Sequence, residues 1–369
     1  MTSFDVVIIG AGIMGSACAR ECALAGLRTA IVEAAVPGAA TTAAGMGHVV
    51  AMDDSPAQLA LTAYARAVWQ SQAALLPEYE SRGTAWVAAD EEEMGEVRAR
   101  HVRYGAAGIE SQVLDAEALA RVEPNLREGL AGGLLVPGDG ICNPPAAAAF
   151  YLADAQRRGA ELFSSRALSA AHGAVVLADG RRLEAARIVL ATGVDCDLLP
   201  GMPIRKRKGH LVITKARPGF VRHQVVELGY LKSAHQVTAD SVAFNVQPRP
   251  NGQIFIGASR QYDNDDPAVD SPIVEQMLER AYSYMPGLAE IETDCVRAGF
   301  RAATPDKLPL IGPALGLTDD RSLWLAAGFE GLGITCAPGA ARLLADALVG
   351  RETAIELGPY LPLRFKREA

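Results

Sequence analysis

The chain has 369 residues, 43 of them acidic and 35 basic, a net charge of −8, and half of its residues are hydrophobic. It can bury a large core, and the absence of a basic arm argues against nucleic acid as a partner. Its six cysteines are scattered with no C-x-x-C pair, which argues against a zinc or iron–sulfur site built within the chain and points to a reducing compartment.

The N-terminus lacks the basic region of a signal peptide, its apolar run breaks at glycines, and no stretch approaches the roughly 20 apolar residues that span a bilayer. A cytoplasmic protein, at most peripheral to a membrane, is expected. "DVVIIG" then reads as a buried parallel strand that runs into Gly10-Ala11-Gly12-Ile13-Met14-Gly15. Helix-forming "SACARECALAG" follows, and a second strand, "LRTAIVE", ends at Glu33. Strand, glycine turn, helix and acidic strand end together form a dinucleotide fingerprint. Gly10 makes the turn, Gly12 lets backbone approach a pyrophosphate, and Gly15 lets the helix opened by Ile13 and Met14 pack close to the strand. Glu33 is placed to accept ribose hydroxyls and to repel the extra phosphate of NADP. The fingerprint alone leaves NAD and FAD open.

Three later segments favour FAD. "PGAATTAAGMGHVV" (37–50) is rich in small residues and suits a backbone lying flat against a planar ring, through Gly45, Met46, Gly47 and His48. Thr41 and Thr42 can bond phosphate or ribitol oxygens. "ARIVLATGVDCDLLPG" (186–201) is a buried strand that brings Thr192 and Gly193 towards a cofactor held by the first glycine loop. "SLWLAAGFEGLGITCAPGAARLLADALVG" (322–350) reads as a strand and a turn through Gly328, Glu330, Gly331, Leu332, Gly333 and Ile334. A helix of about ten residues then ends at Gly350. Its N-terminus would stabilise negative charge on a reduced ring. Between these segments, "KGHLVITKA", "HQVVELGYLKS" and "VAFNVQPRPNGQIFIGAS" read as strands, with "PRPNGQ" as a hairpin signal, and "SPIVEQMLERAYSYMPGL" reads as an amphipathic helix.

The chain resembles the D-amino acid oxidase superfamily, in its glycine oxidase and sarcosine oxidase branch. "VVIIGAGIMGSACARECALAGLRTAIVE", "TTAAGMG", "IVLATG", "GFRAATPDKLPLIG" and "AAGFEGLGITCAPGAARLLAD" carry the resemblance in family order from end to end. Within the branch, "AAGMGH", "RKRKGHLVIT" and "FEGLGIT" are most similar to D-hydroxyproline dehydrogenase β subunits and their relatives in octopine oxidase and hydrogen cyanide synthase.

The resemblance implies an α/β fold: a Rossmann-type FAD-binding domain of residues 1–85, 145–205 and 300–369, and a substrate domain of 86–144 and 206–299 on a mixed, largely antiparallel sheet. It assigns Ala167 to the cofactor side. Arg301, in "GFR", matches the family's carboxylate-binding arginine, and a planar guanidinium suits a carboxylate through two parallel charge-assisted bonds. Asn245 stands where relatives place a substrate-contacting tyrosine, with Gln247 on the same strand face; solvent exposure is the competing reading of both. Arg260 lies near the position of an oxygen-activating lysine in monomeric sarcosine oxidases, or is an exposed strand residue. His48 and His210 are the histidines nearest the cofactor motifs, and neutral structural roles compete with catalytic ones. In monomeric sarcosine oxidase the flavin-tethering cysteine follows the arginine motif by a few residues, and "RAATPDKL" has none, so FAD is expected to be held noncovalently. The basic tract from Arg205 to Lys208 is either a solvated strand start or a contact for acidic groups of a partner chain or a second flavin at a subunit interface.

The implied activity is hydride removal from the Cα of an amino or imino acid, with a D-hydroxyproline-like cyclic substrate and a heteromeric dehydrogenase as the leading version. A stand-alone oxidase using oxygen, and a flavin-bearing binding or tRNA-modification protein, are the alternatives.

Overall fold

The computed structural model describes residues 3–229 and 240–366. The end of "HQVVELGYLKS" from Tyr230 onward lies outside the described residues. Two eight-stranded sheets organise the rest. The first contains β1 (Ser3–Ile9), β2 (Thr29–Glu33), β8 (Glu161–Ser164), β9 (Ala167–Ala171), β10 (Ala174–Leu177), β11 (Arg182–Leu190), β17 (Leu310–Pro313) and β18 (Leu323–Ala327). Its main path runs β17-β18-β11-β1-β2-β8, parallel except where β17 meets β18. The second contains β4 (Thr84–Ala88), β5 (Gln112–Asp115), β6 (Gly132–Val136), β12 (Arg205–Thr214), β13 (Gln224–Glu227), β14 (Ser241–Pro248), β15 (Ile254–Arg260) and β16 (Thr293–Ala303). It runs β16-β12-β15-β14-β13-β4-β6-β5, antiparallel apart from the β13–β4 pair. A short ribbon of β3 (His48–Val49) and β7 (Gly140–Ile141) joins the loop after β2 to the region before the next helix.

The long apolar run of β1 is buried on both faces because helices cover the first sheet. Helix α1 (Ile13–Leu24) packs against α6 (Pro144–Arg157) and the C-terminal α8 (Gly333–Leu348), and its buried Ala17, Cys18 and Cys22 join one large apolar cluster. Ser55 caps α3 (Pro56–Ser71) by accepting from the Gln58 amide, and α3 lies against α8. Elsewhere, α2 (Thr41–Ala44) is one turn, α4 spans Glu91–Ala106 and α5 spans Ala116–Val122. Helix α7 (Ser271–Tyr284) covers the second sheet through Val274, Met277 and Ala281, as its apolar spacing requires.

Two segments differ from expectation. The small-residue loop 37–50 contains the one-turn helix α2 and strand β3, and α8 has 16 residues, beginning before Pro338 instead of after it. Proline has no N–H for the Ile334 carbonyl one turn back. The indole N–H of fully buried Trp69 takes that place, donating to the carbonyls of Ile334 (3.2 Å) and Thr335 (3.0 Å). Trp69→Phe is therefore expected to cost about 2 kcal/mol, read as a lower urea midpoint. In a Pro338→Ala background, where a helix amide reaches Ile334, the same substitution should cost less, a difference a double-mutant cycle measures.

Candidate functional site

The cleft lies where the glycine turn after β1, the loop carrying α2 and the N-terminus of α8 face β12, β14, β15 and β16. The turn is held from two sides. Glu33 accepts from the amides of Ala11 (2.7 Å) and Ala35 (2.9 Å), and the Thr42 hydroxyl accepts from the Ile13 amide at the start of α1 (3.0 Å). The Thr42 O–H is left to donate elsewhere, while Thr41 Oγ1 lies beside Gly193. Thr192 itself bonds the Asp195 carbonyl and closes its own turn. Gly328 and Glu330 both have positive φ, and the Glu330 amide donates to the Ala302 carbonyl (2.8 Å), tying the turn before α8 to β16. Ala167 opens β9, packs against the apolar cluster around the first sheet, and lines neither part of the cleft.

Two adjoining compartments share His48, Asn245, Glu330 and Gly331. The inner one encloses about 960 Å³ of empty space, part of it open to solvent, between Thr41–His48, Gly333 and Ile334 on one side and Gly209, His210, Gly299 and Arg301 on the other. The outer one, about 770 Å³, adds Trp86, Arg207, Arg260, Lys307 and Leu332. Close packing builds the inner wall. A Cβ on Gly299 would sit 2.3 Å from Ala44, and one on Gly45 would sit 2.5 Å from Ile334, so glycine at both positions lets the α2 loop lie against β16 and α8. Met46 packs in the same way over Gly257.

Arg301 lies on β16 and lines the inner compartment. Its Nη1 donates to the Ser259 carbonyl (2.9 Å), and the Ser259 hydroxyl is held by the backbone and ring of His210 at 2.8 and 2.9 Å. His210 Nε2 accepts from the Asp270 amide (3.1 Å). Burial, with Lys208 and Arg301 nearby, holds this histidine below its ordinary pKa, so it supports the arginine's anchor as a neutral ring. Arg260, buried at the end of β15, faces the outer compartment.

The basic tract divides between surface and interior. Arg205 and Lys206 are exposed, but Arg207 and Lys208 are buried, and the exposed-strand reading fails for these two. Register places Arg207 opposite Arg301 in the β12–β16 pair, and its guanidinium pairs with Glu330 in the cleft. The solvent-exposed reading fails for Asn245 and Gln247 as well. Both are buried on the same face of β14 and both reach His48, Asn245 through Nε2 (3.1 Å) and Gln247 near Nδ1 (3.2 Å). Gln247 lines neither compartment; it belongs to the layer behind Asn245.

The Nδ1–H of His48 donates a hydrogen bond to Gln224 Oε1. Burial is the main reason its pKa falls from the ordinary 6.5 to about 4, with the Arg249 charge adding to it. Its neutral form is thus the native one. Above pH 6.5 nothing opposes this; as pH falls towards 4 the unfolded chain takes a proton that the folded chain refuses, and stability drops by about 1–3 kcal/mol. His48→Gln should flatten that loss, seen by comparing urea midpoints of the two proteins at pH 7 and pH 4.5. Equal losses in both would place the effect elsewhere.

A glycine turn at the end of the first sheet, facing across a ring-sized cleft an arginine on the second, is the arrangement of a dinucleotide-dependent oxidoreductase of the flavin type. The chain belongs to the DAO family of FAD-dependent oxidoreductases, whose family model matches residues 5–347. It is 28% identical to glycine oxidase of Pseudomonas aeruginosa over 97% of this chain and 98% of that one. It is 26% identical to the hydrogen cyanide synthase subunit HcnC of the same species, over 99% and 97%. Among solved structures, glycine oxidase from Geobacillus kaustophilus superposes with a TM-score of 0.87 at 25% identity, covering 99% of both chains. L-proline dehydrogenase from P. horikoshii, at 20% identity and a TM-score of 0.89, shares the fold.

The residues fit FAD. Gly10 and Gly15 leave room for a tight turn that any Cβ would block, the α1 amides open onto it, and the α2 loop and α8 N-terminus frame a cleft large enough for a ring system. Sequence reasoning missed Gln224 and Arg249, and read Arg207 only as one member of a basic tract; contacts across long sequence separations bring them to the site. Among the described residues no helix is long and apolar enough to cross a membrane.

Proposed function

We propose that this protein oxidises the Cα–N bond of a small amino or imino acid as a stand-alone oxidase that passes electrons to oxygen. Arg301 carries the reading: a guanidinium anchored by Ser259 at the wall of the inner compartment, where a carboxylate would be held by two charge-assisted bonds. Near full-length similarity to glycine oxidases in sequence and structure favours this over the dehydrogenase-subunit expectation. We further propose that residues 1–85, 145–205 and 300–369 form the cofactor domain and the remainder the substrate domain.

Bound FAD supplies the hydride acceptor, and the chain's task is orientation. Arg301 fixes the carboxylate, β14 presents Asn245, and the α8 N-terminus stabilises negative charge at the ring. The carboxylates of the cleft are paired, Glu330 with Arg207 and Asp54 with Lys307, and the ammonium proton is left to solvent. The second reading is a catalytic subunit of a heteromeric dehydrogenase acting on a cyclic, D-hydroxyproline-like substrate, supported by the full-length similarity to HcnC.

An anaerobic screen of glycine, sarcosine, D-amino acids and cis-4-hydroxy-D-proline, followed by flavin absorbance, tests both. Bleaching with rapid peroxide formation once air is admitted supports the oxidase. Bleaching without peroxide supports the dehydrogenase subunit. No bleaching by any of them sinks both and leaves a flavin-bearing binding or tRNA-modification protein.

A further inference from the structure

Behind the cleft wall lies a chain of side-chain amides whose polarity is fixed from its far end. Gln224 Nε2 donates to the Gly140 carbonyl (2.9 Å) and to Thr84 Oγ1 (3.3 Å). A backbone carbonyl only accepts, so Gln224 must turn Oε1 the other way. That oxygen accepts from His48 Nδ1 and from Gln247 Nε2 (3.2 Å). Arg249 sets Gln247 in the same sense, donating from Nη1 to its Oε1 (3.0 Å) and to the Cys142 carbonyl (2.9 Å).

With its hydrogen on Nδ1, His48 can only accept at Nε2. The atom it accepts from is Asn245 Nδ2, 3.1 Å away. Asn245 Oδ1 is thereby turned from the network. Asn245 is 9% exposed and lines both compartments, and its Oδ1 is buried with no hydrogen-bond partner among the described residues. A buried acceptor left unpaired costs about 1–3 kcal/mol, a cost a ligand donor would remove.

We propose that Asn245 is a specificity-determining residue whose side-chain oxygen, not its nitrogen, faces the substrate, so that the site selects a hydrogen-bond donor on the substrate Cα. For an amino or imino acid the donor is the N–H. The inference rests on the proposed function. With the carboxylate on Arg301 and the nitrogen on Asn245, two substituents of Cα are fixed, and the remaining geometry decides which hydrogen meets the acceptor. Gln224, Gln247 and Arg249 act only as positioning residues, and His48 relays their polarity. The lowered His48 pKa supports this, since a ring protonated at Nε2 would turn the Asn245 amide round.

The test reads binding of small carboxylates to the FAD-loaded protein by the perturbation of oxidised flavin absorbance, with no turnover involved. Three probes differ only at Cα: acetate carries no polar group, glycolate a donor, and methoxyacetate an acceptor alone. Wild type should bind glycolate about tenfold more tightly than acetate, and methoxyacetate no better than acetate. Asn245→Leu should bring the glycolate-to-acetate affinity ratio down to about one, Asn245→Asp should keep it well above one, and Gln224→Met should shrink it from outside the cleft. Methoxyacetate binding better than glycolate to wild type, or an unchanged glycolate-to-acetate ratio in Asn245→Leu, would overturn the proposal. Should Asn245→Leu lose its flavin, the wild-type comparison still decides. Failure of the amino-acid oxidation reading shows separately, in the anaerobic screen.

Discussion

Arg301→Ala is expected to lower kcat/KM for the amino acid that bleaches the flavin by about 10²- to 10³-fold, chiefly through a higher KM, with flavin content unchanged. The guanidinium stands between Ser259, which fixes one of its nitrogens, and the inner compartment, so truncation removes a held charge and leaves the substrate carboxylate unpaired. Truncating one partner of such a pair costs several kcal/mol, and about 3–4 kcal/mol gives the stated range. Arg301→Lys should recover part of the loss, because it restores charge without the planar two-point grip. Gly209→Ala provides an independent check. Its Cβ would come within 2.4–2.8 Å of three guanidinium atoms across the β12–β16 pair, and the long side chain would swing away while the strands stayed paired. A raised KM in that variant, with the fold and flavin intact, is the expected result. A KM unchanged in Arg301→Ala would refute the role.

The parts of this molecule written in consecutive residues were legible; the parts made by pairing distant ones were not. The turn from Gly10 to Gly15 with its strands and helix is local, and period and glycine spacing suffice to place it. The hairpin at "PRPNGQ" is local too, and β14 and β15 meet there. Arg207 is the opposite case. Within "RKRK" it looks like one more solvated cation, and only the register with β16 reveals that it lies opposite Arg301. The sequence suggests a helix of about ten residues ending at Gly350, but α8 has 16 and runs through Pro338, because Trp69 from a distant helix satisfies the freed carbonyl. Gln224 carries no motif at all. Its importance comes from the Gly140 carbonyl on one side and His48 on the other, contacts separated by 84 and 176 residues.

Gly15→Ala should abolish FAD loading and destabilise the fold by several kcal/mol. A Cβ at this position would lie 1.8 Å from the Gly10 carbonyl oxygen and 2.9 Å from its carbon. Neither atom can yield. Gly10 sits at φ +105 with its own Cα pressed towards the Ala191 carbonyl, where a Cβ would meet the oxygen at 2.5 Å. Helix α1 would have to lift by more than an ångström, but it is clamped by α6 and α8 on its outer side and by Thr42 at its first turn. Overpacking a well-filled interior costs about 1–3 kcal/mol even where side chains can adjust, and backbone against backbone costs more. The same lift carries the α1 amides away from the phosphates, so cofactor affinity falls together with stability. Gly26→Ala is the control: φ is +84, but a Cβ meets nothing within 4 Å. It should cost about 1 kcal/mol in backbone strain and leave flavin binding unchanged. Purified Gly15→Ala retaining yellow colour and the wild-type unfolding midpoint would show that the turn tolerates the side chain and that the glycine is not what holds the helix to the strand.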